Sequence, residues 1–174
     1  KALFTSDPDA VYAREYTFDL SKIRPVVAKP DFVDNLVPAE EVRGVKIDEA
    51  FLGSCNNGRI EDLRVGASIL KGRHVAEKVR FLVVPASQTV YLQALKEGLI
   101  DTFIEGGAIV MNPNCSVCWG SCQGVIGENE VLISTGTRNF KGRAGHPSSK
   151  VYLGSAATVT ASAIKGEIAL ASDL

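Results

Sequence analysis

From Val45 onward, apolar positions fall into short strand-like runs that alternate with helix-like patterns. The segment VKIDEAFLG predicts a strand that ends in a turn rich in Gly and Asn. After this turn the chain is apolar at Ile60, Leu63, Ala67 and Leu70, which is the spacing of one helix face. This order predicts a strand, a turn and a helix.

The same order returns further along the chain. VRFLVVPAS predicts a buried strand, and QTVYLQALKEGLIDTFIEGG predicts one helix that ends at Gly106 and Gly107. That helix carries apolar residues at Val90, Leu92, Leu95, Leu99, Ile100 and Phe103. Further strands are predicted in AIVMN, EVLIST and KVYLGS, and a last helix in AATVTASAIKGEIA. Strands that alternate with helices imply right-handed crossovers, so we predict an α/β fold, a three-layer α/β/α sandwich with a mostly parallel sheet.

Residues 1–45 have a different character. Prolines interrupt this segment, and REYTFDL is the only strand predicted in it. We predict that residues 1–45 are a lead-in segment packed on the core and that residues 46–174 form a single α/β domain. The chain begins Lys1-Ala2-Leu3-Phe4, without an initiating Met or a signal-peptide pattern, so we expect a fragment or a processed piece.

Charge and composition exclude several classes of protein. Nineteen basic and twenty acidic residues give a net charge of −1 without long runs of one sign, which argues against nucleic-acid binding. The longest apolar run, Phe81 to Ala86, is too short to cross a membrane. Four cysteines in a chain of 174 residues do not resemble a disulfide-dense secreted scaffold. We therefore expect reduced thiols and a cytoplasmic location.

The cysteines are the first candidates for chemistry. NPNCSVCWGSC contains Cys115, Cys118 and Cys122, and Cys55 follows an earlier predicted strand. A Cys-x-x-Cys pair suits a metal, dithiol exchange or no special role, and Cys55 is also compatible with a small buried apolar side chain. A zinc site would need all four cysteines, whereas three cysteines from two loops suit an iron–sulfur cluster with one incompletely ligated iron. A non-enzymatic zinc-binding or dithiol redox module stays open as the alternative.

An arginine-containing loop adds a second kind of chemistry. TRNFKGR places Arg138 and Arg143 where two guanidinium groups suit bidentate binding of a di- or tricarboxylate, although single arginines are more often solvated surface residues. Asn56, Asn57 and Asn139 are either turn residues or donors to a substrate or a cluster sulfide. The cysteines and arginines all follow predicted strands, and parallel strands present their carboxyl ends at one edge. We therefore expect these segments to converge on one site.

The three motifs together resemble a known family. FLGSCNNGRIEDLR, NPNCSVC and TRNFKGR, in this order, resemble the aconitase superfamily, and within it the large subunits of 3-isopropylmalate dehydratase and homoaconitase. The resemblance covers essentially the whole chain, from about Asp7 to Glu167, and corresponds to the C-terminal, third-domain portion of such a subunit. It implies that Cys55, Cys115 and Cys118 ligate a [4Fe–4S] cluster.

The resemblance also assigns substrate contacts. It implies that Arg138 and Arg143 hold substrate carboxylates and that Asn57 is an active-site asparagine. The chain departs from the family pattern at Asn56, where Thr is usual, and at Thr137, where Asn is usual. No family role corresponds to Cys122.

The reaction implied by the resemblance is the dehydration and rehydration of a hydroxy di- or tricarboxylate. The base in that family is a serine of the swivelling domain, which is a separate small subunit in these dehydratases, so no catalytic residue is assigned in this chain. The implied partners are that small subunit, the remaining domains of the large subunit and the hydroxy-carboxylate substrate. Nothing in the sequence chooses the hydroxy acid, because the resemblance places the discriminating loop on the small subunit.

Two expectations concern the chain by itself. We expect it to be inactive alone, and we expect the cluster to be absent after aerobic preparation because a cluster with an exposed iron is labile to oxygen. His74 and His146 are isolated in the sequence and are expected at the surface.

Overall fold

The computed structural model describes residues 5–174, so the expectation drawn from Lys1–Phe4 lies outside the described residues. Within this range the chain forms one sheet with the strand order β2-β1-β7-β6-β3-β4-β5. The strands are β1 Val26–Ala28, β2 Leu36–Pro38, β3 Glu49–Gly53, β4 Arg80–Val84, β5 Ile109–Val110, β6 Val131–Ser134 and β7 Lys150–Leu153. The helices are α1 Ser54–Asn57, α2 Ile60–Leu70, α3 Gln88–Lys96, α4 Leu99–Glu105 and α5 Ala156–Lys165. Short 3-10 turns span Leu20–Lys22, Ala39–Val42, Ser116–Cys118 and Ala171–Asp173.

The sheet is parallel except at one edge. β3 pairs in parallel with β4 and β6, β4 pairs in parallel with β5, and β6 pairs in parallel with β7. β1 and β2 are antiparallel to each other, and β1 joins β7 through Ala28 and Leu153. The predicted α/β class with a mostly parallel sheet is confirmed.

The two faces of the sheet are covered differently. On one face, α2 and α4 bury Leu63 and Phe103 in the same cluster as Leu52 of β3. On the other face, Val117 and Ile126 belong to a smaller cluster with strand residues of β3, β4, β6 and β7. These two residues come from segments without long helices, so the layer on this face is made mostly of irregular chain. The sequence pattern did not predict this irregular layer, because irregular segments have no periodicity that a pattern could reveal.

The long helix predicted from Gln88 to Gly107 is wrong in one respect. It is two helices, α3 and α4, because Gly98 adopts a left-handed conformation with φ of 71° between them. Leu92 and Leu95 are exposed, whereas Ile100 and Phe103 are buried. The predicted end is confirmed, since α4 stops at Glu105 and is capped by Gly106.

The strand predicted in REYTFDL is also wrong. Residues 14–19 have no regular structure and are exposed, and Leu20 begins a short 3-10 turn. A strand needs a neighbour to pair with its backbone, and alternation of residue types does not provide one. Further along, Val27 and Ala28 of β1 are buried between β2 and β7. The division of the chain at residue 45 remains a prediction.

None of the helices in residues 5–174 is both long and apolar enough to cross a membrane.

Candidate functional site

Three segments that are far apart in sequence meet at the carboxyl edge of the sheet. Cys55 follows β3, Cys115 and Cys118 follow β5, and Arg143 lies in the segment after β6. All four residues line one cavity of about 330 Å³. The cavity is also lined by Ser54, Asn56, Trp119 and Thr137. The three segments thus meet at one cavity, although Arg138 is not part of its lining, and the roles of the residues stay predictions.

The turn that carries Cys55 is pressed against the end of β4. A Cβ atom on Gly53 would lie 2.5 Å from the carbonyl oxygen of Val84, and one on Gly58 would lie 2.3 Å from the same atom. Only glycine fits such a close approach of two backbones. The sequence signal is therefore the pair of glycines that flanks Ser-Cys-Asn-Asn, and it fixes where Cys55 leaves the sheet.

Ser54 holds the first backbone turn of this segment. It is buried and has φ of 67°, in the left-handed region that side chains seldom adopt. Just before it, the N–H of Gly53 donates a hydrogen bond of 2.9 Å to Oγ1 of Thr135, which follows β6. The neighbouring strand thus stabilises a strained turn, and sequence reasoning did not single out Ser54.

The loop with Cys115 and Cys118 is closed on itself. Ser116 is fully buried with φ of 46°, and its Oγ donates a hydrogen bond of 2.8 Å to the carbonyl oxygen of Gln123. The N–H of Cys118 donates to the carbonyl oxygen of Cys115 at 3.1 Å, which makes a tight turn between the two cysteines. The side chain of Val117 packs in the smaller core cluster together with Ile126. With Ser116 and Val117 both buried, Cys115 and Cys118 on either side of them are left at the cavity.

The arginine loop is attached directly to the cysteine loop. Nε of Arg143 donates a hydrogen bond of 2.8 Å to the carbonyl oxygen of Cys118, and its guanidinium lies 5.4 Å from the ring centroid of Phe140. A Cβ on Gly120 would lie 2.3 Å from the carbonyl oxygen of Arg143, so the two backbones are in close contact there. This arrangement places the one charged side chain of the cavity lining next to the cysteines.

Asn57 and Arg138 lie outside this cavity. Nδ2 of Asn57 donates to the carbonyl oxygen of Thr135, and Asn57 lines a neighbouring cavity, whereas Asn56 faces the cysteines. Nη1 of the exposed Arg138 donates to the carbonyl oxygen of Thr137. The substrate contacts assigned to Asn57 and Arg138 therefore stay predictions.

Asn139 is not a donor at the cavity. Its side chain is buried, and Nδ2 donates to the carbonyl oxygens of Lys29 at 2.8 Å and Phe32 at 3.3 Å, in the segment between β1 and β2. The interpretation of Asn139 as a hydrogen-bond donor to a substrate or sulfide is wrong in this structure, because its amide is used to hold another segment.

The remaining cysteine and the two histidines are peripheral. Cys122 is exposed and does not line the cavity of Cys115 and Cys118. His74 and His146 are exposed, as the sequence predicted.

The donor set of the cavity fits an iron–sulfur cluster better than a hard cation. The cavity is lined by three thiols and by no carboxylate or imidazole group. Soft thiolate ligands select iron–sulfur clusters, zinc and copper over magnesium or calcium. Among residues 5–174, no three histidine, cysteine or carboxylate side chains converge as the ligands of a single ion would. The irons of a cluster each take a different cysteine, so its three ligands need not meet at one point.

The fold and the cavity define an α/β domain with a cysteine-lined site at the carboxyl edge of a mostly parallel sheet. A profile of the aconitase family (aconitate hydratase) matches residues 35–166. The chain belongs to the aconitase family.

Curated relatives are similar over almost the whole chain. It is 52% identical over 166 residues to a probable methanogen homoaconitase large subunit of Methanothermobacter thermautotrophicus, which covers 95% of the chain and 39% of that relative. It is 52% identical over 164 residues to 3-isopropylmalate dehydratase large subunit 2 of Archaeoglobus fulgidus, which covers 94% of the chain and 39% of the relative. A 3-isopropylmalate dehydratase large subunit of a Sulfurihydrogenibium species is 50% identical over 167 residues, with 96% and 39% covered. The chain thus spans about two fifths of the length of these relatives.

Proposed function

We propose that this chain is the cluster-binding part of a hydro-lyase that isomerises a hydroxy di- or tricarboxylate by dehydration and rehydration. The observation that carries the proposal is the cavity in which Cys55, Cys115 and Cys118 lie with Arg143. Membership in the aconitase family and similarity to large subunits of two dehydratases support it. A zinc-binding or dithiol module has no comparable support.

In this proposal the three cysteines hold a [4Fe–4S] cluster, whose iron without a protein ligand supplies a Lewis acid for a substrate hydroxyl. Arg143 binds a substrate carboxylate, and its guanidinium is held in place by the carbonyl oxygen of Cys118. The exposed side chain of Arg138 turns from the carbonyl of Thr137 to a second carboxylate.

The chain supplies only part of the proposed active site. A base must remove a proton from carbon, and none of the residues that line the cavity is a carboxylate, a histidine or a lysine. We propose that a small subunit with a swivelling domain brings a serine as this base, and that the remaining domains of the large subunit complete the site. Asn57 is proposed to contact substrate in that assembly. A cytoplasmic location, where thiols stay reduced, is part of the same proposal.

Anaerobic reconstitution with iron and sulfide tests the cluster. The protein is expected to turn brown and to show a broad, oxygen-sensitive visible absorption that neither zinc nor a disulfide produces. Cys115→Ala is expected to lose this absorption, whereas the matched variant Cys122→Ala keeps it, because Cys122 does not line the cavity. Normal cluster content in Cys115→Ala would refute the ligand assignment.

Turnover tests the reaction separately. The reconstituted chain is expected to be inactive alone and to acquire isomerase activity once the remaining large-subunit domains and the small subunit are supplied. A panel of hydroxy di- and tricarboxylates, including 3-isopropylmalate, then identifies the substrate. A complete assembly with a full cluster but no activity on the panel would contradict the proposed reaction without affecting the cluster assignment.

A further inference from the structure

The segment REYTFDL, residues 14–20, is extended but has no partner for its backbone. Residues 14–19 run without a turn or a bend, and Asp19 at the end of this run is extended, with φ of −82° and ψ of 102°. No backbone N–H or C=O group of residues 11–18 is hydrogen-bonded to another backbone group within residues 5–174. A neighbouring strand is the usual partner of such groups in an extended chain. These groups are therefore available to a strand from outside the described chain.

The side chains of this segment fall on two sides of different character. Successive residues of an extended chain point to opposite sides, so Tyr16, Phe18 and Leu20 share one side. The rings of Tyr16 and Phe18 are stacked with their centroids 6.4 Å apart, as expected for neighbours on the same side. The opposite side is polar and carries Glu15, Thr17 and Asp19. An apolar side opposite a polar side is the pattern of a strand with one buried and one solvated face.

The apolar side of the segment is exposed in this structure. The side chains of Tyr16, Phe18 and Leu20 are 69%, 73% and 76% exposed. More than half of the exposed large apolar side chains of residues 5–174 lie within residues 11–36. Soluble proteins seldom expose apolar side chains in such a concentration unless another surface covers them. The backbone and the side chains thus match the same kind of partner, which is the edge of a β-sheet with an apolar face.

The sheet of this chain is not that partner. Its two edge strands in the described residues are β2 and β5, of three and two residues, and residues 14–20 pair with neither. The Methanothermobacter relative is longer, because the match covers only 39% of it, so about three fifths of that relative has no counterpart here. The match extends over 166 of the 174 residues, so residues 14–20 lie within it and the longer protein has this segment too.

We propose that residues 14–20 form a β-strand that pairs with a sheet edge in the portion of the large subunit that this chain does not cover, with Tyr16 and Phe18 packed on the apolar face of that sheet. The inference rests on the proposed function in one respect, because it places this chain within a large subunit. A strand added to a sheet edge gains affinity from main-chain hydrogen bonds and specificity from alternate side chains. The segment thereby attaches the cysteine-bearing domain to the rest of the subunit.

Hydrogen exchange measured by mass spectrometry tests this pairing without a mutation, by comparing the 174-residue chain with a complete large subunit that contains it. The amides of residues 14–20 are expected to exchange like an unstructured peptide in the chain alone and at least about a hundredfold more slowly in the large subunit. The α2 peptide, residues 60–70, is the control and is expected to be protected in both proteins. Equally fast exchange of residues 14–20 in both proteins would overturn the proposal.

A second copy of this chain is the competing partner for the segment. If two copies pair through residues 14–20, the amides of the segment become protected in the chain alone, and the protection increases with protein concentration. This result would overturn the proposed partner. Fast exchange at every concentration in the chain alone, with protection in the large subunit, supports it.

Proline substitutions separate backbone pairing from simple burial of the segment. Proline has no N–H, and successive N–H groups of a strand point to opposite sides, so either Thr17→Pro or Phe18→Pro removes a hydrogen bond of the proposed pair. At least one of the two is expected to speed exchange of the segment in the large subunit by about tenfold or more. Thr17→Val and Phe18→Val are the matched controls, since valine keeps the N–H and favours strands, and they are expected to stay protected.

The same variants are expected to leave the stability of the 174-residue chain unchanged, because the segment is exposed there. Protection that survives both proline substitutions would overturn the backbone pairing. The measurement needs neither a cluster nor turnover, so the two proposals fail separately. A large subunit that protects residues 14–20 but neither binds a cluster nor turns over substrate would contradict only the proposed function, and an active enzyme with an unprotected segment would overturn only this inference.

Discussion

Single residues at the candidate site are constrained by contacts that residue type alone does not reveal. Ser54 and Ser116 both have positive φ, and each is adjacent to a cysteine of the cavity. Strain of this kind persists only where the surroundings enforce it. Here the hydroxyl of Ser116 and the close packing of Gly53 on β4 provide the enforcement. The cysteines are therefore presented by a rigid frame.

Gly53→Ala is expected to destabilise the chain by about 3 kcal/mol or more, because the added methyl group would lie 2.5 Å from the carbonyl oxygen of Val84. The measurement is the free energy of unfolding from urea denaturation. Gly127→Ala is the control, since its methyl group would contact only the flexible Glu130 side chain at 3.6 Å or more. Equal stability of the two variants would mean that the Cys55 turn does not lie against β4.

Ser116→Ala is expected to cost about 1–3 kcal/mol, because it leaves the carbonyl oxygen of Gln123 without its donor. After anaerobic reconstitution, this variant should also hold less iron per chain than the unmutated protein, since the loop between Cys115 and Cys118 loses its closing bond. Ser121→Ala, at an exposed position of the same loop, is expected to change neither quantity. Unchanged stability of Ser116→Ala would contradict the hydrogen bond.

At the scale of elements, the segment after β6 holds two other segments together. It contacts the cysteine loop through Arg143, and it contacts the chain between β1 and β2 through the buried Asn139. The antiparallel pair β1–β2 joins the sheet by a single register pair with β7, so its attachment depends on side-chain contacts more than on backbone pairing. Asn139 supplies two of these contacts, to the carbonyl oxygens of Lys29 and Phe32.

Asn139→Ala is expected to reduce the free energy of unfolding by about 2 kcal/mol, because the carbonyl oxygens of Lys29 and Phe32 lose a donor. Limited proteolysis should cleave residues 26–38 faster in this variant than in the unmutated chain, because local opening of the β1–β2 pair becomes easier. Asn35→Ala is the control. It removes a hydrogen bond to the carbonyl oxygen of Pro30 within the same segment, so it weakens the segment locally without detaching it from the rest of the fold. If both variants are cleaved at the same rate, Asn139 does not attach the segment.

At the scale of the whole molecule, one buried charge makes stability depend on pH. Burial raises the pKa of Glu49 to about 7, from an ordinary value near 4.5. The folded state therefore keeps a proton that the unfolded state releases at lower pH. The contribution of Glu49 to stability is fully present below about pH 4.5 and is lost as pH rises through about 7.

Comparison of the unmutated chain with Glu49→Gln isolates this effect. The free energy of unfolding of the unmutated chain, minus that of the variant, is expected to fall by about 3 kcal/mol between pH 4 and pH 8. Hydrogen bonds from Arg80 lower the pKa of Glu130, so Glu130 titrates below most of this window. A difference that does not vary with pH would mean that the pKa of Glu49 is the same in the folded and the unfolded state.

Predictions from the sequence succeeded where a regular period or a motif carried the information. The helix face with Leu63 and Ala67 is buried as predicted, and the strand that ends at Gly53 is where the apolar run placed it. Predictions failed where the outcome depended on a partner. REYTFDL alternates like a strand but has no neighbouring strand among residues 5–174, and Gly98 divides a helix whose apolar pattern is continuous.

The sequence by itself determined the α/β class, the strands β3 to β7 in their order, and the three loops that carry the cysteines and the arginines. These features depend on the spacing of residues that are close together in the chain, and this spacing can be read directly from the sequence. The tertiary structure decided which side chains share the cavity, because that depends on contacts between segments far apart in sequence. It set Asn56 rather than Asn57 beside the cysteines, turned Asn139 into the core and buried the carboxyl group of Glu49. Each of these outcomes follows from packing against a neighbouring segment, which no local pattern encodes.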